Sequence, residues 1–352
     1  MIFRQDIFYL KMSTIVKIVA IGDPHYKKDN LLWMKRFEDR IHEIIYEEEP
    51  HLVVVLGDTL DRFKDMTIQV QTQAQKFLRS LSGEGIRNPL ILIGNHDRIN
   101  NNVFQTDESP FYACKFWDRF NVCDTATSYY TALPCDKGYF RYMGVPYVHP
   151  GRFQEAIDTI IPNSEDKIDI IFAHQEFENV KMGSIKSEIG DHWPEDKPLV
   201  ITGHVHEHQL LQKNILYVGS PHHEGTVSII EFNLDTKEFI ERRIKLNLPT
   251  ISRHTMTPDE VLAFDFIDDE TVEYYRVEIK GTPAELKALR KTEKYKELLL
   301  NKKVKLISKP QDVIIEQQPM IKKERASFSK LVHERLLVHQ EFRKIYSEVF
   351  NS

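Results

Sequence analysis

From residue 14 the chain alternates between two rhythms of apolar and polar positions. Short aliphatic runs of strand length occur at 15–21, 51–56 and 90–93, and each runs into Gly-Asp or Gly-Asn. Between them, 31–48 and 68–81 carry apolar residues at helical spacing, with Leu32, Phe37, Ile41, Ile44 and Ile45 on the apolar side of the first. Strand, helix, strand, helix, strand predicts a sheet with crossover helices. Further strands are expected at 168–173, 199–202, 216–219 and 226–232. This second half is richer in hairpins, so the sheets should be mixed. No internal repeat is visible.

After about residue 248 the pattern changes. The run 274–280 reads as a strand, and Thr282-Pro283-Ala284-Glu285 is a helix start, with a threonine cap, proline in the first turn and glutamate closing a capping box. One helix to about residue 299 and a strand at 304–308 would complete a small β-α-β unit. The segment 326–350 reads as a last helix. Its Leu331, Val338, Phe342, Ile345 and Val349 recur at spacings that sum to seven, with Phe328 one step earlier and Arg335 the single break. Such a stripe must be buried against something, either the chain's own β-α-β unit or a partner. The expected organisation is an extension at 1–13, a catalytic domain at 14–248, a capping domain at 249–324 and a terminal helix at 325–352.

Composition narrows the function classes. Over 352 residues, 41% hydrophobic and 28% charged is ordinary for a globular protein and excludes a disordered chain. The net charge of -6 excludes a basic nucleic-acid coat, so a polyanion must be met by a local patch. One candidate is 280–330, with 14 basic against 6 acidic side chains, where Lys291, Lys294, Lys296, Lys302, Lys303 and Lys305 are either a solvated face or a DNA-backbone contact. No apolar run approaches the roughly 18 residues of a membrane span. Three cysteines, Cys114, Cys123 and Cys135, without a C-x-x-C pair make a disulfide scaffold or structural zinc unexpected and point to a reducing, intracellular setting. In 1–13, Asp6 interrupts a short apolar stretch and Met12 precedes the first strand, so this segment is read as an extension outside the fold.

The candidate chemistry sits at the strand ends. Asp23-Pro24-His25 follows the first strand, Asp58 the second, Asn95-His96-Asp97 the third, and His174 and His204-Val205-His206 follow two later ones. Aspartate, histidine and a side-chain amide suit first-row divalent ions. A carboxylate at a strand end, such as Asp58, can bridge two ions roughly 3.5–4 Å apart.

Gly22-Asp23-Pro24-His25, Gly57-Asp58-Thr59-Leu60-Asp61, Gly94-Asn95-His96-Asp97, His174 and Gly203-His204-Val205-His206 resemble, in order, the five motifs of the calcineurin-like metallophosphoesterases. The resemblance spans about 15–235. It implies an α/β fold: a four-layer sandwich of two mixed β-sheets flanked by helices, here with a small C-terminal β-α-β capping domain and a terminal helix. It also implies two metal ions, one on Asp23, His25, Asp58 and His206, the other on Asp58, Asn95, His174 and His204. His96 would be the catalytic acid, oriented by Asp61. His208 is expected to play no ligand role, and His222 and His223 are assigned no metal.

Three classes of function follow. The first is a DNA nuclease resembling the SbcD-type double-strand-break repair nucleases and related phage recombination nucleases, supported by His174-Gln175, by Tyr217-Val218-Gly219-Ser220-Pro221 and by the appended unit. That resemblance favours manganese, with iron or zinc as alternatives, and implies DNA, a coiled-coil SbcC-type ATPase subunit and a second copy of the chain in a homodimer as partners, and no membrane. The second is a phosphatase or phosphodiesterase acting on phosphoproteins or small nucleotides. Arg62 after Asp61 favours it, whereas Phe63 and Ile93 stand where protein phosphatases keep a glycine and a phosphate-binding arginine. The third, a scaffold that has lost its metals, is disfavoured because every expected ligand is present.

Overall fold

The computed structural model describes residues 14–83, 88–133, 138–160, 167–183, 185–266 and 271–310. The extension at 1–13, Cys135 and the helix expected at 326–350 lie outside the described residues.

Along the chain, β1 (Ile15–Ile21) leads to α1 (Leu31–Glu48), β2 (Leu52–Val55), α2 (Ile68–Ser80) and β3 (Leu90–Leu92). Then come β4 (Asn121–Cys123), β5 (Thr127–Ala132), β6 (Tyr139–Val145), α3 (Phe153–Asp158), β7 (Ile170–His174), and the paired short strands β8 (Lys181–Met182) and β9 (Ile185–Lys186). After these come β10 (Leu199–Gly203), β11 (Gln209–Leu211), β12 (Ile215–Tyr217), α4 (Pro221–Glu224), β13 (Thr226–Asn233) and β14 (Phe239–Lys245).

These strands form two six-stranded sheets, ordered β14-β13-β1-β2-β3-β4 and β11-β12-β10-β7-β6-β5. β1 to β4 are parallel, as are β12, β10, β7 and β6. β13, β14, β11 and β5 join antiparallel. Both sheets are therefore mixed.

Period-two alternation sorts the strand residues into layers. Val16, Ile18 and Ala20 of β1 pack between the sheets with Phe140, Tyr142, Ile170, Phe172 and Ile201. Val19 and Ile21 face α1 and α2 through Trp33, Phe37, Ile41 and Phe77. The outer face of the second sheet is covered by α3 and loop residues, with Phe153, Phe177 and Trp193 over Val145, Ile171 and Val200. The central strands are thus buried on both faces, which is why they read as continuous apolar runs. β5 and β14 are half-solvated, and their weak apolar signal gave no expectation of a strand.

One position of α1 departs from expectation. Leu32 is 72% exposed, while Trp33 and Met34 are buried at 5% and 0%. Leu32 stands nine residues, about two and a half turns, before Ile41, and so lies on the opposite side of the helix.

Among the described residues, a second compact unit takes 253–266 and 276–310. Its elements are drawn from β15 (Thr250–Met256), α5 (Pro258–Ala263), β16 (Val272–Gly281), α6 (Pro283–Leu289), α7 (Glu293–Leu300) and β17 (Val304–Pro310), with the three strands in the order β15-β16-β17. Thr282 and Glu285 form the expected capping box. The single helix expected at 283–299 is instead two. Thr292 ends the first turnwise run by donating to Leu289 O (2.7 Å) and starts another by accepting from Tyr295 N–H (3.3 Å). Val277, Ile279, Leu286, Leu289 and Leu298 are buried within this unit. Lys296 pairs with Glu293 at 2.6 Å, and Lys294 lies 3.7 Å from Asp265.

No helix among the described residues is long and apolar enough to cross a membrane. Cys114 and Cys123 are buried free thiols.

Candidate metal centre

The carboxyl ends of parallel strands are where α/β sheets expose loops that bind ligands. Here the loops after β1, β2 and β3 of one sheet meet the ends of β7 and β10 of the other. Three of the residues so delivered, His25 (φ 52°), Asp58 (φ 46°) and His204 (φ 78°), hold left-handed backbone conformations. Non-glycine residues adopt that region at a cost that the surrounding structure must sustain, and such residues cluster at functional sites. Gly94 is required by close approach: a Cβ there would lie 2.1 Å from Asp58 Oδ1 and 2.3 Å from its backbone nitrogen.

Six of the expected ligands and His96 converge in three overlapping groups: Asp23, His25 and His206; His25, Asp58 and His96; and Asp58, His174 and His204. His25 Nε2 and His206 Nε2 are 2.9 Å apart. Asn95 Oδ1 lies 3.0 Å from His174 Nε2 and 2.9 Å from His204 Nδ1. Asp58 Oδ1 is 3.3 Å from His174 Nε2 and accepts the His96 backbone N–H at 2.8 Å. Asp23 Oδ1 accepts from His204 N–H at 2.9 Å, while Asp23 Oδ2 and His25 Nδ1 are buried without a hydrogen-bond partner.

The electrostatics suit a cation. Burial, with the Asp58 carboxylate adding to it, pushes Asp23 up to about 7. Burial holds His25 down at about 4, and lowers His206 as well, so both are neutral imidazoles, the form that ligates metal. Burial opposes the charged form of His174, yet the Asp58 and Asp23 carboxylates and the Leu56 carbonyl together outweigh it and raise the imidazole to about 9. Asp58 itself, despite burial, is held well below the usual carboxylate range by His174, His25 and His96.

Asp97, named in its motif without a role, lies behind this cluster. Fully buried, it accepts Thr59 N–H (3.1 Å) and Gly94 N–H (3.1 Å) at Oδ2 and Leu60 N–H (2.8 Å) at Oδ1, tying the Asp58 loop to the Asn95 loop. Asp97→Ala should orphan three buried donors at about 1–3 kcal/mol each before relaxation. A melting temperature lower by roughly 5–10 °C is expected, with reduced metal content. Asp97→Asn, which keeps one acceptor oxygen, should fall less. Thermal melts in which alanine and asparagine match the wild type would remove the tie from this account.

Tyr147, Gln175 and Glu176 also border the cluster without having been expected there. The Tyr147 ring centroid is 5.6 Å from that of His204, Gln175 Nε2 donates to Asp191 at 2.6 Å, and Glu176 Oε2 is 3.8 Å from His204 Nε2. Of these, only Gln175 had a signal, its place after His174.

His96 and Asp61 meet, but not as expected. His96 Nδ1 contacts the Asp61 backbone carbonyl, and the Asp61 carboxylate pairs with Lys27 Nζ at 2.8 Å. The carbonyl takes the N–H of Nδ1 in either charge state of the ring, so the exchangeable proton is the one at Nε2, 3.9 Å from Asp58 Oδ2. His208 pairs with Glu241 at 2.8 Å, away from the ligands. His222 stacks on Trp33 with centroids 3.8 Å apart, held by Asn30 at 3.1 Å. Arg62 is exposed.

Two buried polar atoms without partners, two facing neutral imidazole nitrogens and a carboxylate between two histidine groups describe a donor set for divalent cations. Such a set, at the strand ends of a double mixed sheet, defines a metal-dependent phosphoesterase. The chain belongs to the calcineurin-like phosphoesterase family, whose model matches residues 16–208. It is 35% identical over 292 residues to "Putative phosphoesterase 078R" of Invertebrate iridescent virus 3, covering 81% of this chain and 82% of the relative. It is 37% identical over 206 residues to "Putative phosphoesterase 244L" of Invertebrate iridescent virus 6, covering 58% and 69%. The solved structure titled "GAP50 the anchor in the inner membrane complex of Plasmodium" superposes with a TM-score of 0.40 at 11% identity, over 66% of this chain and 85% of that one, too weak a likeness to carry an argument.

Proposed function

We propose that this metallophosphoesterase is a phosphodiesterase acting on DNA, an exo- or endonuclease of repair or recombination similar to the SbcD-type enzymes, with manganese as its ion. The observation that carries this reading is what stands at positions 93 and 98, beside the Gly94–Asp97 loop. Ile93 is buried at 1% exposure where a phosphate-binding arginine would stand, and Arg98, also at 1%, is turned away and donates to the carbonyls of Tyr147 (2.8 Å) and Val103. A phosphomonoester dianion gains most from a bidentate guanidinium. A diester carries one charge fewer, and its leaving alkoxide needs a proton.

Asp23, His25, Asp58 and His206 would hold one ion, and Asp58, Asn95, His174 and His204 the other. When bound, the ions supply Lewis-acid activation of water and neutralise charge on the phosphoryl oxygens. The chain's own residues do the rest. Asp58 is fixed by the His96 backbone N–H, and His174 is oriented by its Nδ1 contact with Leu56 O at 2.7 Å. His96 gives the Nε2 proton to the departing sugar oxygen, its ring held at Nδ1 by the Asp61 carbonyl.

The exposed Arg62 favours a second reading, a phosphatase or phosphodiesterase for phosphoproteins or small nucleotides. The test is one panel: the purified protein in manganese with linear DNA, cyclic nucleotides and a phosphopeptide. Cleavage of DNA with little release of phosphate from the peptide is expected. Efficient dephosphorylation with intact DNA would establish the second reading instead.

A further inference from the structure

Three side chains close on the backbone of the Asp23-Pro24-His25 loop. The Ser220 hydroxyl donates to Asp23 O at 3.0 Å, and Asn30 Nδ2 donates to His25 O at 2.8 Å. Between them the His222 ring hydrogen-bonds the Pro24 carbonyl. Three successive carbonyls of one loop are thus each met by a side chain. Ser220 and Asn30 are buried, at 1% and 6% exposure.

These side chains are themselves fixed. Asn30 Oδ1 accepts the Lys27 backbone N–H at 2.9 Å, which makes Nδ2 the donor end of the amide. His222 Nε2, 3.1 Å from that Nδ2, must then accept, so the ring proton is on Nδ1, the nitrogen left to donate to Pro24 O. Trp33 stacks on the His222 ring at 3.8 Å between centroids and donates from Nε1 to Pro249 O at 2.9 Å. Ser220 and Pro221 start the short helix α4, which carries His222.

What this bracket holds is a ligand whose ring has no hydrogen bond of its own to steady it. His25 Nε2 faces His206 Nε2 across 2.9 Å and is the nitrogen turned toward the ion, while Nδ1 is buried without a partner. Metal-ligating histidines usually donate that second N–H to a carboxylate or carbonyl, which sets the direction of the ring. His174 does so through Nδ1 to Leu56 O at 2.7 Å. His25 does not, and its left-handed φ of 52° is a conformation that its surroundings must sustain. On the amide side, His25 N–H and Tyr26 N–H donate to the Asp58 and Thr59 carbonyls at 3.0 and 2.8 Å. The three side-chain contacts supply the carbonyl side.

We propose that Asn30, Ser220 and His222 are positioning residues of the metal centre, which aim the His25 ring by fixing the carbonyls of its loop. They do through the main chain what a ring hydrogen bond does for His174. That role rests on His25 being a metal ligand and holds whether or not the substrate is DNA.

The experiment compares wild type with Asn30→Ala, Ser220→Ala, His222→Phe and His222→Gln, and takes His25→Ala as the benchmark for a lost ligand. Phenylalanine keeps a flat ring against Trp33 but has no nitrogen, whereas glutamine restores a donor and an acceptor. Three quantities are measured: the melting temperature of the metal-free protein, the manganese dissociation constants by titration calorimetry, and the visible absorption of the cobalt-substituted protein. Asn30→Ala, Ser220→Ala and His222→Phe should weaken one manganese ion by about 10–100-fold, leave the other unchanged and shift the cobalt bands. His222→Gln should recover most of the affinity. Variants that melt lower without metal yet bind both ions as tightly as wild type would make the bracket a structural support only and overturn the proposal. An equal fall at both ions would overturn it too. Should Asn30→Ala fail to fold, His222→Phe against His222→Gln decides the matter. If His25→Ala loses an ion and the bracket variants do not, the ligand assignment stands and the bracket fails. If His25→Ala keeps two tightly bound ions, both fail together.

Discussion

Asp58→Asn should stop turnover on every phosphoester while leaving the protein folded. Asp58 stands between the two ligand groups, with Oδ1 3.3 Å from His174 Nε2 and Oδ2 3.9 Å from His96 Nε2. The asparagine keeps the shape, and its carbonyl oxygen can still accept the His96 backbone N–H, so the loop should hold. What it lacks is the negative charge between two cations. Losing several kcal/mol of transition-state stabilisation corresponds to on the order of 10³-fold in rate. Elemental analysis should show metal content falling from two equivalents per chain. Two full equivalents in the variant would remove Asp58 from the bridging position.

His96→Ala should also lose hydrolysis, but it should keep the metals. Its ring makes its fixed contact through Nδ1 to a backbone carbonyl and leaves Nε2 free to act on the leaving group. General acid catalysis is typically worth about 10²–10⁴-fold, and that loss is expected on DNA. On a nitrophenyl diester, whose leaving group departs without a proton, the loss should nearly vanish. Equal losses on both substrates would deny His96 the acid role. The structure adds a contrast that the motif alone did not suggest. Because the Asp61 carboxylate is engaged by Lys27 and only its carbonyl meets His96, Asp61→Asn should retain most of the rate. A loss as large as that of His96→Ala would show that the carboxylate takes part after all.

The difference between Asp61 as expected and as found shows where the sequence stops being informative. The strands at 15–21, 51–56 and 90–93 and the helices at 31–48 and 68–81 were legible because burial on two faces, or along one stripe, writes a periodic apolar signal. The candidate site residues were legible because each follows such a strand, and five strand ends with the same chemistry are a pattern along the chain. β5 and β14 left too weak an apolar record because each has a solvated face. The break between α6 and α7 was missed because the seam of apolar residues continues across it, and only the Thr292 cap marks it.

The sequence by itself determined the strand order in time, the donor types and the family. Which atom of Asp61 meets His96, the three-way hold of Asp97 on two loops, and the facing of His25 and His206 were decided by the tertiary structure alone. Each depends on which strands become neighbours in space, and residues 38 apart (Thr59 and Asp97) or 181 apart (His25 and His206) meet only after β1, β2 and β3 align in one sheet and β7 and β10 in the other. Periodicity records how much of a residue is buried, because burial repeats with the local geometry. It does not record the direction of a hydrogen bond, which is fixed by the backbone of a distant segment and leaves no repeat in the chain.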